Sequence, residues 1–292
     1  MNLNTLIPKL NNTNITQYMI SHGYSKERAS EISYAVQTGT YEKTCLKNID
    51  NFNSISKKRA KLVNKYISQD YTILDCGCGE LTTVSLESNY LLPHTLYAFD
   101  ISLNRILHGV GFYKQHGNAD MLLHPFCADM SDIPLPDSSI DIVKTVHALE
   151  PNGGCESQIL QELFRVSKKY VILFEPCYEN EPLEFQKYMD SHGYVKNLKN
   201  EIEKLNGTIL EDFTFHDNHN NHPCGVKIGR PNTHCFVIEV TKKVKNNPQF
   251  ICPISKVALK HHDNYTHGGG YIYSKINNIP ILRKNNAVIF IG

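Results

Sequence analysis

Ile73-Leu74-Asp75-Cys76-Gly77-Cys78-Gly79-Glu80 decides the fold of this 292-residue chain. Two apolar residues finish a strand and an acid closes it. Two glycines, one residue apart, then make a turn before the helix-forming stretch Leu81 to Ser88. Strand, glycine turn and helix together open a nucleotide-binding α/β unit. Glycine belongs where backbone approaches a ligand closely or takes a positive φ. A dinucleotide fingerprint requires a third glycine three residues after Gly79, where this chain has Thr82. No lysine follows the glycines, which excludes a phosphate-binding P-loop. Glu80 stands at the expected helix N-terminus, where a carboxylate complements the dipole and repels a phosphate. The loop therefore suits a ligand with an adenosine and no phosphate.

Working outward, acid-terminated apolar segments follow in order. Leu96-Tyr97-Ala98-Phe99-Asp100 ends in an acid 25 residues after Asp75, where a carboxylate can accept both ribose hydroxyls. Phe126-Cys127-Ala128-Asp129-Met130 is a strand end with a further acid. Ile140 to Val146 continues into His147-Ala148-Leu149-Glu150, and Tyr170 to Glu175 is a last apolar run. Helical patterns separate most of them, as at Leu103 to Tyr113 and Gln158 to Val166. That alternation predicts a parallel sheet with helices on both faces. Glu181 to Leu205 reads as a helix broken at Gly193, and Thr208 to Phe215 with Cys235 to Thr241 as closing strands.

Taken together, these segments resemble the class I S-adenosylmethionine-dependent methyltransferases over residues 67–243. Asp75-Cys76-Gly77-Cys78-Gly79 resembles motif I. Ile140 to Glu150 resembles motif IV, which faces the transferred methyl group, in the small-molecule branch typified by quinone-biosynthesis enzymes. The resemblance implies a Rossmann-like, doubly wound, seven-stranded, mostly parallel sheet with an antiparallel last strand. It implies S-adenosyl-L-methionine as cofactor, held by Asp75, Gly77, Cys78, Gly79, Asp100, Ile101, Asp129, Met130 and His147. In the family the Asp129 position reads the adenine amino group. The family's usual glycine pair before the fifth strand is replaced by Lys168-Lys169, so that turn must differ.

Catalytic candidates follow from position. His147 ends a strand beside the switch point where open α/β sheets bind ligands, and can take a proton from an acceptor hydroxyl. Glu150 and Glu175 lie on the same side. A His147 that only lines the cofactor is the competing reading. Asp100 and Asp129 can alternatively act as helix caps, since Ser102 and Ser131 follow closely.

Composition bounds the rest. Hydrophobic residues make up 41% of the chain, enough for a real core, and the formal net charge is +1. Basic residues are scattered and make no case for nucleic acid. There is no cationic start followed by an apolar run at the N-terminus, and no long apolar stretch, so neither export nor a membrane partner is expected. Nine cysteines without framework spacing read as free thiols in a reducing cytoplasm. The sequence carries no signal for an oligomeric state.

Three units are expected: an N-terminal helical extension over 1–66, the cofactor-binding domain over 67–245 and a small β-rich tail over 246–292. The first contains Ser25 as a helix cap and Tyr41 as a pocket candidate. The tail, with Cys252-Pro253-Ile254-Ser255 and Gly270-Tyr271-Ile272-Tyr273, resembles a zinc-ribbon family whose members activate methyltransferases. Ser255 stands where that family has its second cysteine and no cysteine follows, so a ribbon held by apolar residues, without metal, is expected. His216, His219, His222 and Cys224 lie at metal-ligand spacing, but a long polar loop is the preferred reading. The acceptor is expected to be a small molecule, a sugar or a biosynthetic intermediate. An RNA- or protein-modifying methyltransferase and a non-catalytic cofactor-binding module remain as alternatives.

Overall fold

The computed structural model describes residues 15–216, 230–240 and 246–291. A seven-stranded sheet forms from β1 (Thr72–Cys76), β2 (Thr95–Asp100), β3 (Leu122–Cys127), β4 (Ile140–Val146), β5 (Ser167–Glu175), β6 (Thr208–His216) and β7 (Thr233–Glu239), in the order β3-β2-β1-β4-β5-β7-β6. The first five are parallel, and β7 runs antiparallel to both β5 and β6. This is the Rossmann-like methyltransferase topology that the resemblance implied.

Strand side chains alternate between faces, and here both faces are covered. Leu74, Phe99, Val143 and Leu173 pack on one side with Phe236 and with Ile159, Leu160 and Leu163 of α7 (Glu156–Val166). Ile73, Ala98, Ile142 and Ile172 pack on the other. They meet Ala60 and Val63 of α4 (Ile49–Val63), Val84 of α5 (Thr82–Ser88) and Ile106 of α6 (Leu103–His116). At Lys168-Lys169 no turn intervenes, because α7 passes directly into β5. Lys168 pairs with Asp141 at 3.6 Å and Lys169 lies over the Tyr71 ring. The broken helix appears as α8 (Leu183–His192) and α9 (Leu198–Lys204), with Gly193 left-handed between them at φ 66°.

The described N-terminal segment is helical: α1 (Ile15–Ser21), α2 (Lys26–Val36), capped by Ser25, and α3 (Thr40–Lys47), ahead of α4. Glu80 ties this segment to the sheet. Its carboxylate accepts from the backbone N–H groups of Gly39 at 3.0 Å and Glu42 at 2.9 Å. The sequence placed Glu80 at the N-terminus of its own helix, but it serves the start of α3. The local reading had the right physics, a carboxylate on orphan N–H groups, and the wrong helix.

The tail folds as its own small antiparallel sheet: β8 (Lys260–His261), β9 (Tyr265–Gly268), β10 (Tyr271–Ile276), β11 (Ile279–Pro280) and β12 (Val288–Ile289). It also docks on the free edge of β3. Ile281 bridges Cys127 in parallel, and the Leu282 N–H donates to the Cys127 carbonyl at 2.7 Å. Phe250 packs on Phe126, and Cys252, Leu259, Tyr273 and Leu282 join the core of the main sheet. Covering β3 removes an unpaired edge. The Cys252 thiol sits 3.2 Å from the Tyr273 hydroxyl and accepts from the Ser255 N–H. Among the described residues no group of three or more His, Cys, Asp or Glu is placed to hold a metal, and the histidine cluster beyond His216 lies outside them. No described helix is long and apolar enough to cross a membrane.

Candidate active site

The loop after β1 is bound to its own sheet. The N–H groups of Gly77 and Cys78 both donate to the Phe99 carbonyl, at 2.8 and 2.9 Å, and that of Gly79 donates to Asp100 Oδ2 at 2.9 Å. A phosphate-binding loop needs those donors free, so the exclusion of phosphate has a direct structural cause. Gly77 and Gly79 take φ of 75° and 55°. A Cβ on Gly77 would lie 2.4 Å from the Ala148 Cβ, and one on Gly79 2.5 Å from Arg105 Nη2. The glycines are therefore required by conformation and by close approach together. Met130 also lies against Gly77, and Cys78 is buried, with burial holding its thiol far above the ordinary range.

Asp100 ends β2 with both oxygens engaged, Oδ2 by Gly79 and Oδ1 by the Ser102 N–H. A carboxylate oxygen has two lone pairs, so each can still accept a ribose hydroxyl. Asp129 Oδ1 accepts from the N–H and hydroxyl of Ser131. Ile101 offers its carbonyl to the Cys127 thiol and to Arg283, which reaches in from the tail.

Opposite Asp100, the Arg105 guanidinium covers Gly79. Its Nε is 3.9 Å from Glu80 Oε1 and its Nη1 4.0 Å from Asp100 Oδ2, and its Cζ stands 5.2 and 4.6 Å from the ring centres of Tyr34 and Tyr41. The side chain is 9% exposed, and Nε has no hydrogen-bond partner among the described residues.

His147, immediately after β4, adopts φ 51°. A left-handed conformation in a non-glycine residue stores about 1–3 kcal/mol and persists only where its surroundings enforce it. Here Glu175 enforces it, accepting from the N–H groups of Ala148 at 2.9 Å and Glu150 at 3.3 Å, while the His147 N–H donates to the Phe174 carbonyl. Glu175 is fully buried, and burial, with Glu150 adding to it, pushes its carboxyl up to about 7. The imidazole is held at both nitrogens. Nδ1 is 3.0 Å from Glu150 Oε2 and Nε2 is 2.8 Å from Thr233 Oγ1. The Glu150 carboxylate also accepts from the Tyr194 hydroxyl at 3.3 Å. Burial alone would lower the His147 pKa, but the Glu150 carboxylate outweighs it and the net shift is upward. Tyr34 lies within electrostatic reach of Tyr41, Glu150, Asp100 and Arg105, so it joins the loop side of the site to the His147 side.

Residues 74–174 match the family model described as a methyltransferase domain. The chain carries a class I S-adenosylmethionine-dependent methyltransferase domain. Solved structures share its fold. A chain of the complex between the Haloferax volcanii Trm112 methyltransferase activator and a methyltransferase is 13% identical, with a TM-score of 0.54, covering 72% of this chain and 98% of that one. Geranyl diphosphate C-methyltransferase from Streptomyces coelicolor A3(2), in complex with Mg2+, geranyl diphosphate and S-adenosyl-L-homocysteine, is 10% identical, with a TM-score of 0.54, covering 70% and 87%. No curated protein matches the chain. S-adenosylmethionine is the cofactor of this domain. The glycine cradle, the acid at the end of β2 and the loosely paired Arg105 guanidinium beside them suit an adenosine that carries both charges.

Within the methyltransferase domain, Gly77, Gly79, Asp100, Met130 and His147 converge on one end of the sheet. Asp75 lies beneath them. It is buried and paired with Lys144, which also meets Glu87 at 2.8 Å, and Arg59 pairs with Glu87 in turn. Burial raises the Asp75 pKa more than Lys144 lowers it. For Glu87, Lys144 and Arg59 together outweigh burial and pull its pKa down. This network lies beneath the loop and joins α4, α5, β1 and β4. Lys144, Arg105, Tyr34, Tyr194 and Thr233 were not identified from sequence. Arg105 did leave a signal. A cation in the first turn of a helix opposes the dipole, and its presence there calls for a local reason.

Proposed function

We propose that this methyltransferase acts on a small-molecule acceptor whose hydroxyl gives up a proton to His147. The observation that carries the proposal is the imidazole held between Glu150 and Thr233 at the end of β4. Bound S-adenosylmethionine supplies an activated methyl group on a sulfonium. Asp100 would hold the ribose, Asp129 the adenine amino group, and Gly77, Cys78, Gly79, Ile101 and Met130 would line the nucleoside. Glu150 accepts from Nδ1–H, which leaves the Nε2 lone pair facing Thr233. An acceptor hydroxyl displacing the Thr233 hydroxyl there would pass its proton to Nε2, and S-adenosylmethionine would supply the methyl group to that oxygen, the sulfur keeping the bonding pair and leaving as S-adenosylhomocysteine. Alignment supplies much of the rate, because the methyl is already activated. Tyr194, which donates to Glu150 beside the imidazole, offers an aromatic face that suits a small organic acceptor. The near-neutral chain and its eight described free cysteines support a reducing, cytoplasmic setting without a polyanionic partner.

The test is incubation with methyl-labelled S-adenosylmethionine and a fractionated cell extract. Label in the small-molecule fraction, lost with His147→Ala, is the expected result. Label in RNA or protein contradicts the acceptor class, and no label in any fraction makes the domain a cofactor-binding module.

A further inference from the structure

We infer that Arg105 holds the α-carboxylate of S-adenosylmethionine and of S-adenosylhomocysteine, its product. The inference rests on the cofactor reading above and adds a residue to it. The ligand carries one anionic group, and burying it without a partner is strongly unfavourable. The loop cannot supply that partner through its backbone, because the N–H groups of Gly77, Cys78 and Gly79 are already used. Nor can the other buried cations nearby. Lys144 and Arg59 are consumed by Asp75 and Glu87, and Arg283 by Glu27 and Glu31.

Arg105 is different. Its guanidinium atoms are the nearest to a Cβ built on Gly79, so it lies directly against the glycine loop. It is more than nine-tenths buried, and its Nε has no hydrogen-bond partner among the described residues. The two acids beside it already accept backbone N–H groups and stand at 3.9 and 4.0 Å, longer than a hydrogen bond. A buried guanidinium left in that state is tolerated when a ligand completes it. Tyr34 and Tyr41 flank the planar group and restrict it, so little freedom remains to be lost when a carboxylate binds. The adjacent Asp100 and Glu80 suit the cationic remainder of the same ligand.

The experiment compares two ligands that differ only by the carboxylate. S-adenosylhomocysteine and its decarboxylated analogue, S-adenosyl-3-thiopropylamine, are titrated calorimetrically into the wild-type protein, Arg105→Met and Arg105→Lys. The expected result is a loss on the order of 30-fold in S-adenosylhomocysteine affinity for Arg105→Met, with the affinity for the decarboxylated analogue unchanged. Arg105→Lys should fall between, since it keeps the charge and loses the planar fork. Equal losses for both ligands, or no loss for either, overturn the assignment. A wild-type protein that binds neither ligand defeats the cofactor reading itself, and this assignment with it.

Discussion

Two clusters of buried charge border the glycine loop, one beneath it and one above. Beneath, Lys144 and Arg59 face Asp75 and Glu87, two cations against two anions, joined by direct ion pairs across four elements. Above, Arg105 faces Asp100 and Glu80, one cation against two anions, and none of the pairs is within hydrogen-bonding distance. Both clusters are buried and both touch the same loop. The lower one is closed by direct ion pairs, that of Lys144 to Glu87 Oε2 at 2.8 Å among them, and the upper one has only the longer approaches at 3.9 and 4.0 Å. On the assignment proposed above, the first holds the loop in shape and the second recognises what enters it. Burial or charge alone does not separate structural from ligand-binding residues here; whether each donor is already used does.

The largest expected effect comes from breaking the lower cluster. Lys144→Met leaves Asp75 and Glu87 buried with only Arg59, and removing one partner of a buried ion pair costs about 3–5 kcal/mol. Chemical denaturation should show that loss in the absence of any cofactor. If Lys144→Met is neutral, the network is not what holds the loop. His147→Ala leaves both clusters intact and should lower kcat by about a hundredfold with little change in S-adenosylhomocysteine binding. A rate unchanged by that substitution restricts His147 to lining the cofactor.

Smaller effects probe the surroundings of the two clusters. Arg283 reaches from the tail to Glu27 and Glu31 of α2 and to the Ile101 carbonyl, so it braces the helical cap against the upper side of the site. Arg283→Ala should reduce stability by about 1–2 kcal/mol and weaken S-adenosylhomocysteine binding, measured by calorimetry. Unchanged binding would separate the tail from the site. The smallest change expected is in pH dependence. His147 must be neutral to accept a proton, and its pKa is raised in the folded protein chiefly because Glu150 outweighs burial. The rate should therefore rise with pH through a value above the ordinary histidine range. Glu150→Gln removes the carboxylate and should move that limb to lower pH. A limb that does not move excludes Glu150 as the group that tunes the imidazole. The same raised pKa means that protonated His147 contributes stability below the unfolded histidine pKa, and that this contribution is lost as pH rises through the folded one.

The sheet was legible in the sequence because its signals are local. Apolar runs closed by Asp75, Asp100 and Asp129, with glycines at the first turn, state strand ends and a ligand-facing edge in a few residues each. Asp100 and His147 were legible for the same reason, since each closes its strand. What sequence missed depends on distant partners. Lys144 reads as the polar member of an alternating strand until Asp75, Glu87 and Arg59 are brought to it from three other elements. Glu80 reads as the cap of its own helix, and its actual partners, the Gly39 and Glu42 N–H groups, lie some forty residues earlier. The docking of Leu282 on Cys127 joins segments more than 150 residues apart, and no pattern within the tail announces it. Arg105 lay between these cases. Its conflict with the helix dipole was visible, but its lack of a partner was not.

The measurement that tests the contrast most directly is thermal melting of the wild-type protein, Lys144→Met and Arg105→Met, each with and without saturating S-adenosylhomocysteine. Lys144→Met is expected to melt well below the wild type without ligand. Arg105→Met is expected to melt close to the wild type without ligand and to lose most of the increase that S-adenosylhomocysteine provides. If Arg105→Met instead lowers the ligand-free melting temperature as far as Lys144→Met does and keeps the full ligand increment, the upper cluster is structural and the account is contradicted.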